Sequence, residues 1–224
     1  MKRKRIREEA TVADDPRMQW ADAVMFGVEE DPVLRSTITL VLLLDQEPDE
    51  TVVRDRIDRL TRLVPKLRQR AVGNPLSLAP PRWEIDPNFD LDYHLRWVAA
   101  PNPDGTMGPV FRLAEQMAEG EFDKARPLWE MLLVTGLKEG QAAFIVKIHH
   151  SVTDGVGGLQ MAALLFDLDR AGQDRGDMPK APHGAVAGKA HEAETWEAAC
   201  AQSPVGLLRG RPHGIAFSEA ICPG

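Results

Sequence analysis

Two adjacent histidines, His149 and His150, are followed after three residues by Asp154 and Gly155. A neutral imidazole, with an ordinary pKa of about 6.5, suits the removal of a proton from an alcohol or an amine at cellular pH. No serine or cysteine nucleophile is clearly paired with His150, because Ser151 is its immediate neighbour and the two side chains should diverge. The pattern therefore favours a histidine that acts as a general base, so that the deprotonated group attacks an electrophile directly.

Each residue of this motif also has a simpler structural explanation. A histidine near a strand end is more often packed or solvated than catalytic, and Gly155 could serve only a tight turn. Asp154 could cap the following helix, orient the His150 ring, or hold the turn through a basic residue, and we favour the last of these roles. A metal site would need a third ligand beside His150 and Asp154, and the sequence offers none nearby, so we predict no metal.

The segments around the motif predict a strand, a turn and a helix. Residues 142–148 are apolar and of strand type, whereas Leu159, Ala162, Ala163 and Phe166 recur at helical spacing. Before them, residues 127–137 form a second apolar run, and the short loop between the two runs contains glycine, which is typical of a hairpin. A strand-to-helix turn presents side chains well because rigid elements hold both of its ends.

The earlier part of the chain alternates between helical and strand-like patterns. Residues 18–28 predict a short helix, and residues 36–44, rich in β-branched and apolar side chains, predict a buried strand. Residues 53–67 have the spacing of an amphipathic helix that bends or ends at Pro65, and residues 110–117 predict a further helix. The fold class predicted is therefore α/β, a mixed sheet layered with helices.

Composition excludes several classes of protein. The 224 residues are 43% hydrophobic with a net charge of −7, which disfavours a nucleic-acid binder. Residues 38–44 form the longest apolar run, far short of the roughly 20 residues that span a bilayer, and no apolar core follows the basic residues 2–5 as in a signal peptide. Only two cysteines occur, Cys200 and Cys222, so we expect a cytoplasmic protein. Peripheral contact with the inner membrane or with lipid droplets is an alternative, because the basic residues 2–5 could bind anionic lipid.

The chain divides into three predicted regions. Residues 1–13 are charged and expected to be disordered, residues 14–171 form one domain, and residues 172–224 form a linker or an atypical truncated tail in which only residues 190–200 could hold a helix.

Several segments resemble the bacterial wax ester synthase/diacylglycerol acyltransferase family, within the larger group of CoA-dependent acyltransferases that share the His-His-x-x-x-Asp-Gly motif. Besides that motif, the resemblance covers residues 18–32, 81–95 and 126–130, of which the last two contain Trp83 and Trp129. It extends over about residues 15–170 in the family's order and implies one half of a chloramphenicol-acetyltransferase-like fold of two domains.

The resemblance implies that His150 is the general base of an O-acyl transfer from acyl-CoA to diacylglycerol or a long-chain alcohol, with acyl-CoA as co-substrate and no separate cofactor. His149, Asp154 and Gly155 would shape the turn. His94 matches a family position without an assigned role, and a structural role is the expectation for it, as it is for Trp83 and Trp129.

The resemblance covers only the first of the family's two halves. A truncated gene, a shifted reading frame or a separate C-terminal half would each explain this. Two other functions stay open: a condensation-type acyltransferase that acts on carrier-bound substrates, and a non-catalytic remnant that binds lipid or a partner.

Overall fold

The computed structural model describes residues 17–29, 31–73, 79–100, 106–167, 172 and 174–182. The basic N-terminus, the possible helix within residues 190–200 and both cysteines lie outside these residues. None of the described helices is both long enough and apolar enough to cross a membrane.

In the described part of the chain, four strands form the main sheet in the order β1-β6-β5-β4. They are β1 (Thr37–Leu44), β4 (Leu95–Ala99), β5 (Trp129–Thr135) and β6 (Ala142–His149). Strands β4 and β5 are parallel, whereas β1 and β5 each pair with β6 in antiparallel fashion. The predicted mixed sheet is therefore confirmed, and so is the hairpin between β5 and β6. A separate antiparallel pair is formed by β2 (Gln69–Val72) and β3 (Arg82–Ile85).

Helices cover both faces of the main sheet. They are α1 (Trp20–Val28), α2 (Glu50–Leu63), α3 (Leu91–His94), α4 (Gly108–Glu119) and α5 (Gly155–Leu165). One apolar cluster joins α2 and α5 to one face of the sheet, and a second joins α4 to the other. Helix α2 ends at Leu63, two residues before Pro65, as its sequence predicts. These layers hold strand β6 from both sides.

Strand β1 is not the buried strand expected from its composition. It lies at the edge of the sheet and, among the described residues, pairs only with β6, and Leu40 and Leu43 are 49% and 52% exposed. An apolar run is equally consistent with a central or an edge position, since the order of strands depends on contacts between distant segments.

His94 has the position of a structural histidine. Its ring is fully buried, stacks on Trp129 at 4.5 Å between ring centroids and on Phe89 at 5.4 Å, and places Nδ1 2.7 Å from the carbonyl oxygen of Trp129. Because a carbonyl can only accept, Nδ1 carries the proton. The Trp129 indole is buried too and donates to the carbonyl of Leu67 at 2.8 Å. Both residues therefore belong to the core, as expected.

Residues 174–182 lie against helix α2. The Arg59 guanidinium donates to the carbonyl oxygens of Arg175 and Asp177 at 2.6 and 2.8 Å, and Arg62 donates to that of Pro179 at 2.9 Å. The boundary placed at residue 171 stays a prediction, but the described segment beyond it is held to the domain by hydrogen bonds.

Candidate active site at the histidine turn

The turn that carries His150 is anchored through its backbone while the His150 side chain is exposed. The N–H group of His150 donates to the carbonyl of Ser36 at 2.8 Å, and that of Val152 donates to the carbonyl of His149 at 3.0 Å. Lys66 Nζ donates to the carbonyl of Ser151 at 3.3 Å. The His150 ring makes no hydrogen bond within the described part of the chain. A rigid turn thus presents an imidazole that is open to a reactant.

His149 is on the opposite side of the backbone and is fully buried. Ser151 donates its N–H to His149 Nδ1 at 3.1 Å, and the Ser151 hydroxyl lies 2.7 Å from the same nitrogen. Phe26 and Phe122 meet the ring edge-on, each with a centroid separation of 6.2 Å. Burial, with smaller contributions from His150 and Lys124, lowers the pKa of His149 to about 4, so the ring is neutral at pH 7. His149 is therefore built into the protein and is not offered to a substrate.

A buried carboxylate, Glu29, faces this histidine from the end of α1. Glu29 is 4% exposed, and its Oε1 lies 3.6 Å from His149 Nε2. Burial raises the pKa of Glu29, whereas the positive charges of Lys124, Lys147 and Arg35 lower it. The sequence motif did not point to Glu29, because it lies 120 residues earlier and no spacing rule connects a helix end with a later strand.

Asp154 is exposed and caps helix α5. Its Oδ1 accepts the N–H of Gly157 at 2.7 Å, and no basic side chain in the described segments pairs with it. The cap is the simplest of the roles considered for this residue, and the expected basic partner is not found among those segments. The described residues also contain no group of three or more His, Cys, Asp and Glu side chains arranged to hold a metal ion.

The steric requirement for glycine in this motif falls on Gly157 and not on Gly155. A Cβ atom at Gly157 would lie 2.5 Å from Thr153 Oγ1 and 3.3 Å from Asp154 Oδ1, whereas one at Gly155 or Gly158 would meet no atom of the described residues within 4 Å. No contact of the described residues requires glycine at position 155, and the expected role of Gly155 in giving the turn room stays a prediction. Gly155 leaves open space at the start of α5.

Alanine at Gly157 and at Gly158 should act in opposite directions. Gly157→Ala should destabilise the fold by about 1–3 kcal/mol, because the new methyl group displaces Thr153 and the Asp154 cap. Gly158→Ala is the matched control in the same helix. It should stabilise the fold by roughly 0.5–1 kcal/mol, because the unfolded chain has less conformational entropy with alanine than with glycine at this position. Urea unfolding of both variants measures these changes. Equal effects at the two positions would contradict the described packing.

Acidification should destabilise the protein through two buried histidines, His94 and His149. Burial is the main cause that lowers the pKa of His94 and of His149 to about 4, whereas both rings titrate near about 6.5 when unfolded. Between these values the unfolded state binds protons that the folded state does not, so stability is full above pH 6.5 and falls towards pH 4. We expect a loss of roughly 3 kcal/mol per histidine. The raised pKa of Glu29 offsets part of this loss, since Glu29 takes up its proton at a higher pH in the folded state than in the unfolded state.

Urea unfolding between pH 7.5 and 4 tests this dependence. His94→Gln, which keeps a donor for the Trp129 carbonyl, should remove about half of the slope. A free energy of unfolding that does not change over this range would contradict the neutral, buried state of both rings.

The layered sheet and the exposed histidine at its turn define one half of a chloramphenicol-acetyltransferase-like fold, and comparison with solved structures supports this. The wax ester synthase/diacylglycerol acyltransferase from Marinobacter aquaeolei VT8 superposes with a TM-score of 0.58 at 26% identity, over 73% of this chain and 41% of that chain. The first condensation domain of the calcium-dependent antibiotic synthetase has a TM-score of 0.57 at 18% identity, over 75% and 40% of the two chains. At 18% identity, the similarity to the condensation domain shows a shared fold alone.

Sequence comparison narrows this class to one family. The family described as "Wax ester synthase/diacylglycerol acyltransferase catalytic domain" matches residues 18–214. A protein of Mycobacterium tuberculosis (strain H37Rv) that is named as a diacylglycerol O-acyltransferase is 41% identical over 159 residues, 71% of this chain and 32% of that protein. Another protein of that strain with the same type of name is 35% identical over 155 residues, 67% of this chain and 33% of its own length. The chain belongs to the wax ester synthase/diacylglycerol acyltransferase family, and it spans about a third of the length of these relatives.

Proposed function

We propose that this chain supplies the general-base half of an O-acyltransferase that moves a fatty acyl group from acyl-CoA to diacylglycerol or a long-chain alcohol. The observation that carries the proposal is the contrast between the two histidines: His150 is exposed on an anchored turn, and His149 is buried beneath it. Of these two histidines, only His150 can reach a substrate. Family membership supports acyl-CoA as donor and a lipid hydroxyl as acceptor.

In the proposed reaction, a ring nitrogen of His150 takes the proton from the acceptor hydroxyl as its oxygen attacks the thioester carbonyl. The tetrahedral intermediate then collapses, the carbon–sulfur bond breaks, and CoA leaves as a thiol after receiving the proton from the imidazolium. The products are one ester and free CoA. In this proposal, the groups that stabilise the oxyanion would come from the second half of the enzyme.

Helix α5 exposes apolar side chains that could contact a lipid substrate or the second half of the enzyme. Val156 and Leu159 are 67% and 57% exposed on the helix that begins just after the histidine turn. Large exposed apolar side chains that cluster on a surface are typical of sites that bind an apolar partner.

Product analysis tests the proposal. The chain, joined to or mixed with the second half of a relative, is supplied with labelled acyl-CoA and either diacylglycerol or hexadecanol, and the lipids are separated. Labelled triacylglycerol or wax ester is the expected product, and the preferred acceptor identifies the substrate. A parallel reaction contains an amine on a carrier protein: transfer only to that amine would favour a condensation-type enzyme, and acyl-CoA binding without turnover on any acceptor would favour a non-catalytic remnant.

A further inference from the structure

Three buried polar atoms meet beneath the histidine turn without completing a hydrogen bond. Both carboxylate oxygens of Glu29 and the Nε2 atom of His149 have no hydrogen-bond partner within the described residues, although Glu29 is 4% exposed and His149 is fully buried. The gap between Glu29 Oε1 and His149 Nε2 is 3.6 Å. Buried polar groups are normally paired, so these atoms are natural partners for each other.

The proton on the His149 ring is located by its other contacts. The Ser151 amide, 3.1 Å away, can only donate, so Nδ1 must offer it a lone pair. A neutral ring then carries its hydrogen on Nε2, which faces the Glu29 carboxylate. A shift of a few tenths of an ångström would bring the two groups into the normal range of about 2.7–3.2 Å.

We infer that Glu29 is a positioning residue for the reaction: its carboxylate accepts the Nε2–H of His149 and so holds in place the turn that presents His150. The inference rests on the proposed function, in which His150 is the base. Glu29 and Phe26 both come from the end of helix α1, so this helix supplies a polar and an aromatic contact to one ring. Phe122 meets the ring too, from the segment after α4.

Three positive charges partly counter the burial of Glu29. Burial raises the pKa of Glu29, Lys124, Lys147 and Arg35 lower it, and the like charge of Glu121 adds to the rise. Lys147 is itself buried, donates to the carbonyl of Gly120 at 2.9 Å and lies 4.1 Å from the centre of the Phe122 ring. Lys147 is thus held by its own contacts, and its positive charge acts on Glu29.

Nitrogen NMR of the imidazole rings in ¹⁵N-labelled chain 1–224 tests the bond directly. At pH 7, His149 should show the Nε2–H tautomer with a hydrogen-bonded, slowly exchanging proton. Glu29→Gln keeps a carbonyl acceptor and should preserve this signature, whereas Glu29→Leu should shift the Nε2–H resonance and speed its exchange with water. Glu84→Gln, in the separate two-stranded sheet, is the matched control and should change nothing.

Two NMR results decide whether Glu29 accepts a hydrogen bond from His149. They are the Nε2–H signature in the wild-type chain and its loss in Glu29→Leu. An Nδ1–H tautomer in the wild-type chain, or no change in Glu29→Leu, would overturn the inference. If Glu29→Leu does not fold, the wild-type and Glu29→Gln spectra still test the hydrogen bond. Absence of the Nε2–H signature from either spectrum would count against the bond.

The kinetic consequence is measured with the chain joined to the second half of a relative. Glu29→Leu should lower kcat by about 10-fold with little change in KM for acyl-CoA, since small displacements of a catalytic group are costly, and Glu29→Gln should restore most of the rate. A normal kcat in Glu29→Leu, alongside a large loss in His150→Ala, would overturn the positioning role alone. A normal rate in His150→Ala would instead refute the proposed function, and the NMR result would stand by itself.

Discussion

Replacing His150 with alanine is expected to lower kcat by about 10²–10⁴-fold when this chain acts together with the second half of a relative, because general-base catalysis is usually worth that much. The loss should fall on kcat and leave stability almost unchanged. The ring is exposed and bonds to none of the residues that the structure describes, so its removal leaves no buried group without a partner. Steady-state rates with labelled acyl-CoA, together with urea unfolding, measure both quantities.

His149→Ala is the matched control, one residue away. His149 is fully buried between two phenylalanine rings, so truncating it should cost roughly 2–4 kcal/mol of stability, as for other large-to-small core changes. Its effect on kcat, measured where the variant is folded, should be the smaller one. Equal and mild kinetic losses at the two positions would contradict the assignment of His150 as the base.

Residues 1–224 on their own should show little or no acyltransferase activity. In a reaction held between two halves, positioning of the reactants can contribute about 7–11 kcal/mol to lowering the barrier, and oxyanion donors about 3–4 kcal/mol more. The exposed side of His150 would face water. The apolar side chains Trp20, Leu40 and Val156, which are 67%, 49% and 67% exposed, would also favour association of the isolated chain.

The measurement compares purified chain 1–224 alone with the same chain after addition of a separately expressed second half from a relative. Label should appear in triacylglycerol or wax ester only in the mixture. Light scattering of the isolated chain should show association that decreases on mixing. Turnover by the isolated chain at rates ordinary for enzymes would show that one half is sufficient.

The local elements around the site could be predicted from the sequence, because they depend on neighbouring residues. The hairpin into β6, the helix that follows the turn and the end of α2 before Pro65 all agree with the structure. Each follows from side-chain periodicity or from proline geometry.

What could not be predicted depends on contacts between distant segments. The edge position of β1 follows from strand order, which an apolar run does not encode. The approach of Glu29 to His149 requires α1 to lie beside the end of β6, and the crowding at Gly157 depends on how Thr153 and Asp154 turn. The roles of His150, His149, Asp154 and Gly155 in catalysis stay predictions.

Chemical rescue tests the role of His150 most directly. In the chain combined with a second half, His150→Gly removes the proposed base at an exposed position, and added imidazole can take its place. The rate should rise in proportion to the concentration of neutral imidazole, whereas His149→Gly, at a fully buried position, should show no such increase. An inactive His150→Gly protein that imidazole does not restore, while His149→Gly is restored, would contradict the account.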